Sequence, residues 1–349
     1  MESVGSRRRR PKPKSRKGPH PTILDVAKAA GVSKTTVSNV MHGSGRFTPE
    51  TQVQVLDAIQ RLGFRPNALA RQLVQQKTTT VGVVVGALDN PFYAEMAMQI
   101  ERAAATHGFH AMFCNTQGDE EAELWGLESY LDHRAAGILF AWHPTQWKKA
   151  RALVEGRMPA IFVTCDSDWG DVVRCDDEDG GRVATQHLVD LGHEGIAYFA
   201  DPLDDAANRD RRSGYLTVMK KAGFRPMIVE WDRHRESSRD KQVEQAVHAG
   251  VTAVFATDDY GAIELLEAAD RLGIGVPREL SIVGFDDVIM SGLGRIDLTT
   301  VQQPKRRLAE VAVAALVDRI QEGMGPKRTR HVVPVELVVR NSTSPPVAD

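Results

Sequence analysis

The chain of 349 residues is long enough for two or three domains, and with 42% hydrophobic and 26% charged residues it has the composition of a soluble globular protein with a substantial core. Its formal net charge of -2 hides an asymmetry: residues 1–80 carry 15 Lys and Arg against four acids (Glu2, Asp25, Glu50, Asp57), which leaves 29 against 42 for the rest. A basic head on an acidic body points to a polyanionic partner at the head only.

No apolar stretch approaches the roughly 20 residues of a membrane span. The start, MESVGSRRRRPKPKSRKGPHP, is basic but has no apolar run after it, so neither a secretory signal nor a membrane anchor is expected. Cys114, Cys165 and Cys175 are too few and too irregularly spaced for a disulfide framework or a zinc site, and buried thiols in a reducing cytoplasm are expected.

Residues 1–20 are rich in Pro, Lys, Arg and Ser and are expected to be a disordered basic tail, either solubilising or phosphate-binding. Thr22-Ile-Leu-Asp25 then reads as a capping box that opens a helix to Ala30, with Gly31 making a sharp turn. Ser33 caps a second helix in SKTTVSNVMHG, where Val37, Val40 and Met41 form the apolar side and Lys34, Thr35, Ser38 and Asn39 the polar one. Thr48-Pro49 opens a third helix with Val55, Ile59 and Leu62 as its core stripe.

This is a helix-turn-helix pattern over residues 21–65, whose second helix would enter the major groove of DNA. Lys34 suits guanine O6 or N7, Thr35 offers a hydroxyl or methyl, and Asn39 suits bidentate pairing with adenine. Asn67 caps a further short helix in RPNALARQL, which exposes Leu69 or Leu73. Such a leucine suits either packing on the body or an apolar wedge in the minor groove.

From Val81 the pattern changes. VGVVVGAL, GILFAW, AIFVTC, GIAYFA, TAVFAT and LSIVGF are short continuous apolar runs separated by helix-like segments, as in parallel strands covered on both faces. Each is followed by a polar residue (Asp89-Asn90, His143, Asp166, Asp201, Asp258-Asp259, Asp286-Asp287) at the strand end where open α/β sheets bind ligands. Six crossover units imply two similar lobes with a ligand between them. Adjacent acids such as Asp258-Asp259 could serve hydrolysis, but they more often bind hydroxyls or cap the next helix. No phosphate loop, nucleophile elbow or metal-ligand spacing occurs, so no catalytic residue, cofactor or metal is expected.

TILDVAKAAGVSKTTVSNVMHG and RFTPETQVQVLDAIQRLGFRPNALARQLVQQKT resemble the headpiece and hinge of LacI/GalR-type transcriptional regulators. DNPFYAEM, CNTQGDEEAE, HLVDLGHEGIAYFADP, VPRELSIVGFDD, LTTVQQP and ELVVRNSTSPP resemble that family's effector-binding body, and the similarity covers about residues 22–345. The resemblance implies an all-α helix-turn-helix headpiece and an α/β two-lobed body like that of periplasmic binding proteins, with parallel sheets and helices on both faces. It divides the chain into a tail (1–20), DNA-binding domain (21–65), hinge helix and linker (66–79), effector-binding and dimerisation domain (80–340) and a tail (341–349). Lobe 1 would hold residues 80–191 and 303–331, and lobe 2 residues 192–302 and 332–340.

The function implied is that of a cytoplasmic, non-enzymatic repressor, a homodimer or tetramer on a near-palindromic operator in double-stranded DNA, controlled by a small effector. By matching positions, Lys34, Thr35 and Asn39 would read bases, Leu73 would wedge the minor groove, and Thr22, Ser33, Thr36, His42, Arg46 and Asn67 would touch phosphates. The family often carries a longer Arg or His at the position of Asn39, so operator bases do not transfer from relatives. Effector contacts would fall to Phe92, Trp142, Asp176, Arg209, Asp258 and Asp286, with Arg209 placed by its offset from Gly214. A carbohydrate or polyol fits these groups. Arg233, near where relatives often place an aromatic contact, either admits an anionic group or stays exposed. The rival readings are an exported sugar-binding receptor, which would need a signal peptide and no headpiece, and a cytosolic carbohydrate-active enzyme using the cleft aspartates.

Overall fold

A computed structural model describes residues 21–64, 78–201, 205–231, 236–323 and 328–347, without the side chains of His42, Glu236 and Ser237. The basic tail, most of the hinge segment, Asn67, Leu73 and Arg233 lie outside the described residues. The chain divides into two compact units, Met1–Lys77 and Thr78–Asp349.

The first unit contains α1 (Ile23–Ala30), α2 (Lys34–His42) and α3 (Pro49–Leu62). Each start is fixed by a hydroxyl that accepts an otherwise orphaned amide: Thr22 from Asp25, Ser33 from Thr36, and Thr48 from Thr51. At α1 the Asp25 carboxylate returns the bond to the Thr22 N–H at 2.8 Å, closing the expected box. Gly31 adopts φ +66°, which lets α2 begin after a short turn. Val26, Val37, Val40, Val55, Ala58 and Phe64 bury the common core, with Met41 and Ile59 packed on it. Leu62 is exposed, contrary to the expected stripe. Ala58, three residues beyond Val55, and Phe64 beyond the helix fill the place it would have taken.

The second unit holds two six-stranded sheets. The first contains β1 (Thr80–Val85), β2 (His110–Asn115), β3 (Ile138–Ala141), β4 (Ala160–Val163), β5 (Asp171–Cys175) and β11 (Arg330–Val333), in the order β11-β5-β4-β3-β1-β2. The second contains β6 (Ile196–Ala200), β7 (Met227–Glu230), β8 (Ala253–Ala256), β9 (Ser281–Asp286), β10 (Thr299–Gln302) and β12 (Glu336–Val338), in the order β12-β10-β9-β8-β6-β7. All pairings are parallel except β10 with β12. Parallel strands joined by helices leave their carboxyl ends along one edge of each sheet, which is where a ligand site forms.

Helices α4 (Pro91–Thr106), α5 (Glu120–Asp132), α6 (Trp147–Val154) and α11 (Lys305–Glu322) cover the first sheet. Helices α7 (Asp177–Asp190), α8 (Ala206–Ala222), α9 (Glu236–His248) and α10 (Asp259–Leu272) belong with the second. The place of α7 corrects the expected boundary at residue 191, because the chain leaves the first lobe at Asp176, directly after β5. α7 packs on β9, β10 and β12 of the second sheet and closely against α8. Backbones of α7 and α8 touch: a Cβ on Gly181 would lie 2.1 Å from the Arg211 carbonyl oxygen, and one on Gly214 would lie 2.2 Å from that of Glu178. The bare faces let the two helices meet backbone to backbone, which no side chain at either position would allow. The last crossing is also later than expected, since β11 keeps the chain in the first sheet to Val333.

Gly181→Ala is therefore expected to lower the thermal midpoint of the full chain, at an overpacking cost of roughly 1–3 kcal/mol. Gly294→Ala, where an added Cβ meets nothing within 4 Å, should leave the midpoint in place. Differential scanning calorimetry of both variants checks this, and equal midpoints would contradict the packing account.

Candidate functional site

In the first unit, Lys34 and Thr35 are exposed on the first turn of α2. That turn contains no acid, whereas α1 and α3 place Asp25 and Glu50 in theirs. The positive end of α2 is thus left without its usual carboxylate and augmented by a lysine, an arrangement suited to an anion. Ser33 and Thr36 bond each other through their hydroxyls at 2.8 Å, and Thr22 bonds Asp25. Arg46 is exposed beyond the turn that ends α2. Asn39 is half-buried, its amide lying over the bare backbone of Gly45, where a Cβ would fall 2.7 Å from Nδ2. The side chain of His42 lies outside the description.

In the second unit a cavity of about 350 Å³ opens where strands of both lobes end. The first lobe contributes an aromatic wall: Tyr93 lies edge-on between Phe92 and Trp142, with ring centroids 5.2 and 5.3 Å away. Trp142 follows β3, and the loop beyond it is held by buried Glu123, which accepts the Thr145 N–H at 2.9 Å. The second lobe contributes carboxylates. Asp258 caps α10 by accepting the Gly261 N–H at 2.7 Å, and Asp205 caps α8 by accepting from Asn208 at 2.8 Å. Burial raises the Asp205 pKa, against the pull of that amide.

Arg211 forms the buried cationic side of the cavity. Its Nε donates to Asp177 at 2.9 Å, its Nη1 to the Thr257 carbonyl at 2.7 Å, and its guanidinium carbon lies 3.7 Å from the centre of the Phe285 ring. Burial works against its charge, but Asp177 and Asp286 more than compensate and push its pKa above the ordinary arginine value. Asp177 also accepts from Arg174 of β5 at 2.9 Å, and Arg174 reaches Asp210 of α8 at 2.6 Å. One ionic chain therefore ties the first sheet to α7 and α8. Asp286 is buried and its pKa is driven well above the usual carboxylate range by that burial, with Arg211 opposing.

Four of the expected contacts, Phe92, Trp142, Asp258 and Asp286, come together in this cavity. Arg209 and Asp176 do not line it. On an α-helix of 3.6 residues per turn, two positions separated by two residues lie on nearly opposite sides, and α8 turns Arg211 inward while Arg209 is exposed. Asp176 is occupied as the cap of α7, accepting the Asp179 N–H at 3.0 Å, and its neighbour Asp177 is the carboxylate that turns inward. Of the polar strand ends, His143 stacks on Trp147 at 4.9 Å and Asp166 pairs with Arg330 at 2.8 Å, so neither lines the cavity.

Asp89, Asn90 and Asp201, expected only as polar strand ends, also line the cavity, whereas Tyr93, Asp205, Arg211 and Gln303, which follow no apolar run directly, were missed from the sequence. Oxygen acceptors, amide donors and a ring-faced wall suit a ligand rich in hydroxyls. Among the described residues no group of side chains could hold a metal ion, and no helix is long and apolar enough to cross a membrane.

Known proteins match both units. Residues 22–67 match the family "Bacterial regulatory proteins, lacI family", and residues 185–343 match the "Periplasmic binding protein-like domain". The HTH-type transcriptional regulator DegA of Bacillus subtilis (strain 168) is 34% identical over 93% of this chain and 98% of its own length. The ribose operon repressor of Escherichia coli (strain K12) is 33% identical over 92% and 99%. A crystal structure of the Lac repressor dimer bound to operator and the anti-inducer ONPF superposes with a TM-score of 0.82 at 27% identity, covering 93% of this chain and 99% of that one.

Arg211→Met should leave Asp286 without its guanidinium and Asp177 with Arg174 alone, costing about 3–5 kcal/mol, whereas Arg209→Met at an exposed position should stay within about 0.5 kcal/mol. Thermal denaturation of the two variants separates them, and equal losses would contradict the inward assignment of Arg211.

Proposed function

The chain belongs to the LacI family of bacterial regulatory proteins, and from that premise we propose that it is a homodimeric transcriptional repressor whose operator affinity is set by a neutral sugar or polyol held in the cleft. The charge of the cleft carries the choice of ligand: burial raises the pKa of Asp205 and Asp286 toward the neutral form, while Asp89, Asp201 and Asp258 line the cleft beside Arg211, which is already matched by Asp177. A sugar acid or sugar phosphate would meet these carboxylates with like charge. The monosaccharide class also agrees with a relative named for a ribose operon. The site of action is the cytoplasm, where the operator lies, and the chain acts as a regulator and not as an enzyme.

For the headpiece, we assign Lys34 and Thr35 as the base-reading edge, supported by their exposure on an acid-free first turn. Asn39 reads with a restricted reach, because its amide packs on Gly45. Ser33, Thr36, Thr22, His42, Arg46 and Asn67 hold phosphates, and Leu73 wedges the minor groove. A two-fold dimer carries two such headpieces and so fits a near-palindromic operator. Dimer contacts fit the open edge strand β2, where Phe113 is exposed, and the exposed Met98 of α4.

Selection of duplexes from a random DNA pool by the full chain should enrich a near-palindromic sequence. On that sequence Asn39→Ala should relax preference at one symmetric position, while Arg46→Ala should weaken all sequences alike and reduce the salt slope by about 0.9 per lost phosphate contact. Enrichment without symmetry, or unaltered preference in Asn39→Ala, would overturn these assignments.

A further inference from the structure

Cys175 ends β5 in the first lobe, Asp286 ends β9 in the second, and Gln303 lies on the segment that crosses between them after β10. All three are buried, with relative exposures of 2%, 4% and 3%. The Cys175 Sγ donates to Gln303 Oε1 at 3.1 Å, and Gln303 Nε2 donates to Asp286 Oδ1 at 2.6 Å. The S–H donor favours the orientation in which the amide oxygen faces Cys175. With the amide oxygen accepting from the S–H, its nitrogen is left to serve the carboxylate. The reversed amide would lose the S–H···O bond to Cys175.

The backbone at Asp286 is held independently. Lys305 Nζ donates to the carbonyls of Asp286 and Asp287 at 2.7 and 2.8 Å and pairs with Glu95 of α4 at 3.2 Å. Asp286 adopts φ +120°, a conformation that persists only where its surroundings enforce it. Lys305 thus fixes the main chain of Asp286 and Gln303 fixes its carboxylate. Both Asp286 and Gln303 line the cleft, whereas Cys175 stands behind them.

We propose that Cys175 is a positioning residue of the cleft: its thiol orients the Gln303 amide and, through it, aims the Asp286 carboxylate at the bound sugar. This rests on the reading of the cleft as a sugar site. The interaction joins the first lobe to a ligand-facing acid of the second, so it acts on sugar affinity without touching sugar.

The test uses the full chain with Cys175→Ser, which keeps a donor, and Cys175→Ala and Cys175→Val, which do not. Calorimetric titration with D-ribose, D-glucose and cellobiose identifies the sugar that binds the unaltered chain. Its affinity should fall about five-fold in Cys175→Ala and Cys175→Val and stay within about two-fold in Cys175→Ser, the loss expected for one neutral hydrogen bond. Equal affinity in all variants, or a serine variant as weak as alanine, overturns the proposal.

A ligand-free readout separates this from the cleft reading. The infrared S–H stretch lost in Cys175→Ala should lie at the low frequency of a hydrogen-bonded thiol and move up in Gln303→Met. An unmoved band overturns the relay even where a sugar binds. A moved band with no response to any of the sugars instead places the fault in the assignment of the cleft and overturns the role of Cys175 in sugar affinity.

Discussion

The buried guanidinium of Arg211 is the constraint around which the second unit is arranged. A charge removed from water is tolerated only with close counter-charges and filled hydrogen bonds, and Arg211 obtains them from Asp177, the Thr257 carbonyl and the face of Phe285. Those partners come from α7, the residue after β8, and β9, so satisfying one side chain brings three parts of the second lobe together. Asp177 in turn takes Arg174 of the first sheet, and the ionic chain spans the point at which the main chain passes between lobes. Gly181 and Gly214 complete the arrangement by letting α7 and α8 approach closely enough for Asp177 to meet Arg211.

The ligand cleft is a consequence of that arrangement. Aromatic rings reach it from the first lobe, while carboxylates that also cap helices reach it from the second. A capping carboxylate has a fixed rotamer, so its remaining oxygen lone pairs face the cavity in a set direction before any ligand arrives. Preorganised acceptors of this kind reduce the ordering cost of binding. A ligand touching both walls favours one angle between the lobes over others, and any such preference is felt by whatever else depends on that angle. In a dimeric regulator that dependence extends to the operator, and linkage makes the effect of sugar on DNA equal to that of DNA on sugar.

Much of this was legible in the sequence because the responsible signals are local. The three headpiece caps lie within three residues of the amides they satisfy, and the six continuous apolar runs became β1, β3, β4, β6, β8 and β9. The other strands lack such runs for physical reasons. Edge strands β2, β7, β11 and β12 expose part of one face and therefore carry mixed residues, β5 buries Asp171 and Arg174 as paired ions, and β10 buries hydrogen-bonded Thr299 and Thr300. The inward places of Arg211, two residues beyond the expected Arg209, and of Asp177, next to the expected Asp176, are not legible locally. Both depend on which side of a helix meets its neighbour, and that side is set by contacts between α7 and α8. Gln303 was invisible because its role comes from Cys175 and Asp286, respectively 128 and 17 residues away.

In the proposed repressor, sugar in the cleft and operator on the headpiece are thermodynamically linked. Fluorescence anisotropy of the full chain on its selected operator, repeated across concentrations of the sugar identified by calorimetry, tests this directly. The account predicts that operator affinity shifts with sugar and that sugar affinity shifts by the same factor when operator is saturating. A sugar that binds the chain yet leaves operator affinity unchanged would contradict it.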